Sequence, residues 1–317
     1  MSNIPQIIID TDPGQDDAAA ILMAFGLDKL NQIKLLALTC VAGNVPLKYT
    51  QKNARIICDW AKRPDLPVYA GAVKPLAKAL LTAEEVHGKT GLDGVVLHEP
   101  QTPLQSEHAA VALAKTLLSA EKNSITLVPI GPLTNLALAF LLYPDCVAGV
   151  KEIVIMGGTF FEAGNVTPNA DFNFFVDPLA AQTVLDSGAN IRIVPLDVTH
   201  KALATQGRMQ KLRDLPNENG KRVADILQSY GRFDTQQFGL NGGPLHDPCA
   251  VAAAVRPELF SSKEVFVSVD TSFGLCEGAS SVDWHGKSGK KPNALWCYAV
   301  DDNAFFDYFT QAIAALP

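Results

Sequence analysis

Short, unbroken apolar runs rich in isoleucine and valine recur along this chain, separated by stretches of helix length. The runs fall at Gln6–Ile9, Lys34–Val41, Val68–Ala70, Ile125–Ile130, Glu152–Met156, Asn190–Leu196, Glu264–Val269 and Leu295–Val300. Continuous apolar character suits strands covered on both faces, the environment of a buried parallel sheet. Between them lie the helical patterns Asp17–Leu27, Leu47–Lys62, Glu107–Ala120, Pro132–Leu142, Pro178–Ser187 and Asn303–Ala315. In Glu107–Ala120, for example, Ala110, Leu113, Leu117 and Leu118 recur at helical spacing. This alternation predicts an α/β fold with a mostly parallel, open central sheet flanked by helices. No internal repeat or low-complexity linker interrupts it, so residues 1–317 are expected to form one domain. Residues 71–105, with prolines, glycines and the polar run His87–Gly91, and residues 198–245, polar, helix-prone and ending in a glycine-rich run, break the pattern and are expected to be lid-like insertions over a binding site.

Composition removes several function classes. The charge sum is −7, from 26 basic and 33 acidic residues, without the basic cluster that a nucleic-acid binder presents. Every apolar run ends well before 18 residues, so no membrane span is expected. The five residues before the first apolar run are too few for a signal peptide. The six cysteines are scattered singly and have no zinc-ligand spacing, which reads as buried free thiols in a reducing, cytoplasmic setting.

The sharpest local feature is Asp10-Thr11-Asp12-Pro13-Gly14-Gln15-Asp16-Asp17, four carboxylates in eight residues between the first strand-like run and the first helical one. Pro13-Gly14 signals a turn, so the acids leave the sheet at a strand's carboxyl end, where open α/β sheets bind ligands. One helix N-cap explains one aspartate, but carboxylates this close repel unless a cation joins them. Oxygen donors call for a hard cation, Mg²⁺ or Ca²⁺. If the strands are parallel, the same edge collects Asn44, the turn Ile130–Asn135, Met156-Gly157-Gly158 and Asp197. His246-Asp247-Pro248 opens an apolar helix; a cap explains Asp247 and Pro248 but not His246, a side chain suited to proton exchange near neutrality. Gly164-Asn165 and Asp171-Phe172-Asn173 offer two amides and an acid around an aromatic ring, groups that suit sugar hydroxyls.

Taken in order, Asp10–Ala18, Val41–Asn44, His87–Gly94, Ile130–Asn135, Met156–Gly158, Asn165, Phe172-Asn173 and His246-Asp247-Pro248-Cys249 resemble the inosine–uridine-type nucleoside hydrolases over nearly the whole chain. The resemblance implies a metal-dependent N-ribohydrolase that splits ribose from a nucleobase with water. It implies Ca²⁺ held by Asp12, Asp17, Asp247 and the backbone carbonyl of Ile130, with Asp12 as general base and His246 assisting the leaving base. It further implies Asp16 on the ribose 2′-hydroxyl, Asn173 and Asp247 near the 3′-hydroxyl, and Asn165 and Asp171 on the 5′-hydroxyl. Asn44 would support the carboxylates, and Met156 and Phe172 would pack about the sugar.

The family generally carries Glu where this chain has Asp171, one methylene shorter. Base choice would rest on segments mapped to His87–Gly94 and 225–239, the second holding Tyr230, Phe233 and Phe238; His246 mildly favours purine tolerance. The expected partner is a small-molecule nucleoside rather than nucleic acid or membrane, in a cytoplasmic homo-oligomer, tetramer or dimer. Two other readings carry different tests. One is a nucleoside-binding protein of the same fold without catalysis. The other is a Mg²⁺-dependent phosphohydrolase with an aspartyl nucleophile, which would differ from this chain at Gly14 and would need a phosphate-clamping lysine.

Overall fold

The computed structural model describes residues 4–238 and 241–317, with the backbone alone for 232–238. Its strands are β1 Gln6–Thr11, β2 Lys34–Cys40, β3 Val68–Ala70, β4 Leu104–Gln105, β5 Ile125–Pro129, β6 Val150–Met156, β7 Ile191–Val194, β8 Leu203–Ala204, β9 Gly243–Pro244, β10 Phe260–Val269, β11 Ser280–Asp283 and β12 Ala294–Val300. Ten of them form one sheet in the order β11-β10-β12-β7-β6-β5-β1-β2-β3-β4, while β8 and β9 make a separate ribbon. From β12 to β4 every neighbouring pair is parallel. Only β10 runs against its neighbours β12 and β11. The expected mostly parallel, open sheet is therefore present, spanning residues from Gln6 to Val300.

Alternation along each strand divides the core between two faces. Ile7, Ile9, Val128, Val154 and Val194 pack on one side with the helices Gln15–Lys29, Leu47–Trp60, His246–Val255 and Asp302–Ala314. Ile8, Leu127, Ile153, Ile155 and Ile193 face the other side with Ala109–Ser119, Thr134–Leu142 and Pro178–Leu185. The helix Gln15–Lys29 is buried without a break from Gln15 to Leu27. Its alanines let it sit between the sheet and the outer helices, and the carboxylates of its first turn are buried with it.

The two irregular stretches hold elements of their own. Residues 71–105 hold one short helical turn, Glu84–His87, and the two-residue strand β4. Residues 198–245 are largely helical, through Gln206–Arg213 and Glu218–Phe238, because their polar residues lie on faces opposite Met209, Leu212, Val223, Ile226 and Leu227. Five cysteines are buried free thiols, whereas Cys276 is exposed. Among the described residues no helix is long and apolar enough to cross a membrane.

Candidate active site

Strand order reverses at β1: β2, β3 and β4 follow on one side, and β5, β6 and β7 on the other. Loops leaving the carboxyl ends of β1 and β5 must diverge there, opening a crevice. A cavity occupies it, lined by Asp16, Asn44, His87, Ile130, Met156, Asn165, Asp171, Phe172, Asn173, Tyr230, His246 and Asp247, with residues 81–83, Glu85, Val86 and Val166. Most sequence-predicted site residues thus meet in one place. Asp12 and Asp17 lie directly beneath, fully buried.

Asp17 is the most constrained of the acids. Its carboxylate accepts from Thr11 Oγ1 at 2.6 Å, Gly14 N at 3.0 Å, Asn44 Nδ2 at 3.1 Å and Asp12 N at 3.2 Å. It ties the first turn of the helix back to the end of β1. Asp12 turns Oδ2 to the amide of Asn44 at 2.6 Å, while Oδ1 is buried with no hydrogen-bond partner among the described residues. The space around this carboxylate exists because two flanking residues lack side chains. A Cβ at Gly43 would stand 2.0 Å from Asp12 Oδ2, and one at Gly131 would stand 2.3 Å from Oδ1.

Asp16, Asp17 and Asp247 each offer an oxygen within 4.8 Å of the others. Asp12 is outside that trio, its Oδ2 drawn aside by Asn44. Burial, then repulsion from Asp17, drives the Asp12 carboxyl well above its ordinary range. Asp247 is driven well up by burial and by Asp16, Asp17 and Asp12. Without a cation, carboxylates in such contact must share protons. A buried set of oxygen donors with one oxygen left unpartnered fits a hard cation. Ile130 lines the same cavity, and its carbonyl already accepts from Asn173 Nδ2 at 3.1 Å, leaving a second lone pair.

On the far wall, Asn173 Nδ2 also donates to the Met156 carbonyl at 3.1 Å and lies 3.3 Å from Met156 Sδ, which fixes the amide against β6. Asp171 departs from the expectation that it grips a hydroxyl. Its Oδ1 accepts from Gly158 N at 2.6 Å and Phe174 N at 3.2 Å, and its Oδ2 from Asn173 N at 3.0 Å. It caps the short helix Phe172–Val176, and burial raises its carboxyl to about 6 against the pull of those amides. Asn165 Oδ1 accepts from Phe172 N at 2.9 Å, so the side-chain amide nitrogen is the part left for a ligand.

The opposite wall is aromatic. His87 stacks on Tyr230 with ring centres 5.6 Å apart, and Tyr230 meets His246 edge-on at 6.5 Å. His246 Nδ1 is 2.6 Å from Thr199 Oγ1, and burial, reinforced by His200 and His87, holds the imidazole well below the usual histidine range. Burial thus opposes the charged form of His246, the form that would protonate a purine leaving group. Phe233 and Phe238, the other aromatics assigned to this wall, lie outside the described side chains.

Two groups fall differently from the sequence expectation. Asp197 ends β7's turn but leaves the cavity: its Oδ1 accepts from Phe160, Phe161 and Glu162 amides, and its Oδ2 from Trp296 Nε1. Gln15, unremarked within the acidic motif, holds His87 across 72 positions of sequence at 2.6 Å. No local pattern signals either contact.

Comparison with known proteins gives the same picture. The family model described as inosine-uridine preferring nucleoside hydrolase matches residues 7–307. A pyrimidine-specific ribonucleoside hydrolase, RihA, of Shewanella woodyi is 40% identical over 308 residues, covering 97% of each chain. An uncharacterized protein of Schizosaccharomyces pombe is 43% identical over 312 residues, 98% of this chain and 100% of the other. Among solved structures, a purine-preferring ribonucleoside hydrolase from Gardnerella vaginalis superposes with a TM-score of 0.90 at 30% identity, over 98% of each chain. Motif order, the carboxylate pocket at the sheet's switch point and full-length similarity agree: the chain belongs to the inosine–uridine-preferring nucleoside hydrolase family, enzymes that hydrolyse the N-glycosidic bond of ribonucleosides.

Proposed function

We propose that Asp12 is the general base of this hydrolysis and that Asp12, Asp17, Asp247 and the Ile130 carbonyl hold Ca²⁺ beside it. The observation that carries this reading is Asp12 Oδ1, buried, without a partner among the described residues and turned toward the Ile130-Gly131 turn. When bound, the ion would orient a water and the ribose diol and make that water easier to deprotonate. Asp12 takes the proton as the water oxygen bonds to the ribose C1′ and the C1′–N bond breaks, its electron pair leaving with the base. The ribose becomes cationic in passing, and buried carboxylates around it stabilise that charge.

Asp16 and Asp247, on the cavity wall, suit the 2′- and 3′-hydroxyls, with Asn173 completing the second. Asp171 has given both oxygens to backbone amides, so Asn165 is the stronger candidate for the 5′-hydroxyl and Asp171 acts by fixing the Phe172-Asn173 turn. Asn44 anchors Asp12 and Asp17, and Met156 and Phe172 flank the sugar. His246, its Nδ1 engaged with Thr199, can give or accept one hydrogen bond at the departing base.

Pyrimidine ribonucleosides are the favoured substrate class. The pyrimidine-specific relative is 40% identical and the purine-preferring one 30%. We also propose one domain over residues 1–317 and a cytoplasmic homo-oligomer, tetramer or dimer; exposed Leu141, Leu142, Phe161 and Phe273 support a surface buried on assembly. A panel of ribonucleosides and 2′-deoxyribonucleosides assayed for base release tests the reaction, the 2′-hydroxyl requirement and the base preference together. Nucleoside binding without release would favour the non-catalytic reading, and turnover of p-nitrophenyl phosphate with Mg²⁺ the phosphohydrolase.

A further inference from the structure

We propose that Gln15 is a positioning residue that sets His87 as a hydrogen-bond acceptor on the aromatic wall, and so selects leaving bases that present an N–H donor there. The inference rests on the ribonucleoside reading for its substrate and on geometry for its residues. The Gln15 amide orientation is determined by its partners. Nε2 faces two carbonyls, His87 O at 3.3 Å and Asp93 O at 3.5 Å, which only a donor can satisfy. Oε1 must then be the atom 2.6 Å from His87 Nδ1, and an amide oxygen only accepts. Nδ1 therefore carries a proton.

Burial holds the ring neutral, its ordinary 6.5 pushed down to about 3. A neutral imidazole has one N–H, so Nε2 is a bare acceptor, and it has no hydrogen-bond partner among the described residues. The seat for this ring is built into the acidic motif: a Cβ at Gly14 would stand 2.4 Å from His87 Nδ1. Tyr230 closes the other side of the ring by stacking. Between its carboxylates the motif thus carries two residues, Gly14 and Gln15, that receive a histidine from the segment over the cavity. Uracil offers an N–H at N3 and hypoxanthine one at N1; methylation at either nitrogen removes the donor and leaves the acceptor unpaired.

The test has a spectroscopic and a kinetic arm. With ¹⁵N-labelled histidine, long-range ¹H–¹⁵N correlation reads which ring nitrogen is protonated, the His87 signals being those lost in His87→Asn. The wild type should show protonated Nδ1 and bare Nε2, and Gln15→Met, similar in length but without the acceptor, should move the proton toward Nε2. A wild-type His87 protonated at Nε2 overturns the assignment. In the kinetic arm, kcat/KM for uridine over N3-methyluridine should be about tenfold or more in the wild type and fall several-fold in Gln15→Met. For a chain that cleaves purines, the matched pair is inosine and N1-methylinosine. An equal ratio in both proteins overturns the selective role. Failure to hydrolyse any ribonucleoside overturns the reaction reading instead, and the spectroscopic arm still decides the assignment of His87.

Discussion

Asp10 gives the most quantitative prediction. It lies in β1 two residues before Asp12, buried, with Oδ2 accepting from Thr39 Oγ1 at 2.6 Å and Asn135 Nδ2 at 2.8 Å, and Oδ1 without a hydrogen-bond partner among the described residues. Burial outweighs those two donors and raises its carboxyl from 3.8 to about 7. The sign follows from linkage: a folded-state acid that ionises later than the unfolded one loses stability as pH rises from its unfolded value through its folded one. At about 1.4 kcal/mol per pH unit, the full loss for metal-free protein is about 4 kcal/mol above neutrality. Asp10→Asn keeps an oxygen for Thr39 and Asn135 and exchanges an unpartnered acceptor for an unpartnered donor, so the charge term dominates. The variant should therefore gain on the wild type with pH, by roughly 2–3 kcal/mol between about pH 5 and about pH 8.

Urea unfolding in chelator, repeated across that range for both proteins, measures the difference directly. A difference independent of pH would refute the assignment of a buried, late-ionising carboxylate to Asp10. Added Ca²⁺ should shrink the gain, because a nearby cation stabilises the ionised form.

Asp12→Ala should fold and lose nearly all base release, by about a thousandfold or more if it is the general base; wild-type turnover in that variant would remove it from the mechanism. Gly131→Ala, with a Cβ 2.3 Å from Asp12 Oδ1, should displace the carboxylate and lower kcat more than Asp12-independent stability, read by paired kinetics and thermal melts. Asp171→Ala leaves the amides of Gly158, Asn173 and Phe174 without their acceptor and should cost about 2–4 kcal/mol in urea unfolding. Exhaustive chelation should abolish hydrolysis, and Ca²⁺ should restore it and raise the melting temperature.

Much of the site was legible because the sheet brings turns of one kind to one edge. Once β1, β5 and β6 are parallel neighbours, Asp12, Ile130 and Met156 cannot be far apart. The short strands β4, β8, β9 and β11 carry no unbroken isoleucine- and valine-rich run to announce them, and the reversed direction of β10 is set by pairing that no local pattern encodes. Asp197 and Asp171 show the same limit at the level of side chains. Each stands where a site carboxylate would, yet Asp197 spends its oxygens on the 160–162 amides and Trp296, and Asp171 on a cap reaching back to Gly158. An acid after a strand is equally good as ligand or as anchor, and only the amides that face it decide.

The same partition divides the acidic motif itself. Asp10 points away from the cavity to Thr39 and Asn135, and Thr11 and Gly14 donate to Asp17. Gln15 reaches sideways to His87, while Asp16 and Asp17 meet Asp247 and repel the nearby Asp12 carboxylate. Neighbouring residues in a strand-to-helix turn point in different directions, so one short segment can join the sheet's interior, the cation site and the cavity's cover. The cost is electrostatic: three of the four motif acids, Asp10, Asp12 and Asp17, are fully buried and raised in pKa by that burial. A cation at this point offsets the repulsion that folding creates, so metal affinity and fold stability are linked through the same carboxylates. Substitutions that relieve the repulsion should stabilise the metal-free protein and weaken the site together, which is the signature separating a functional acid cluster from a structural one.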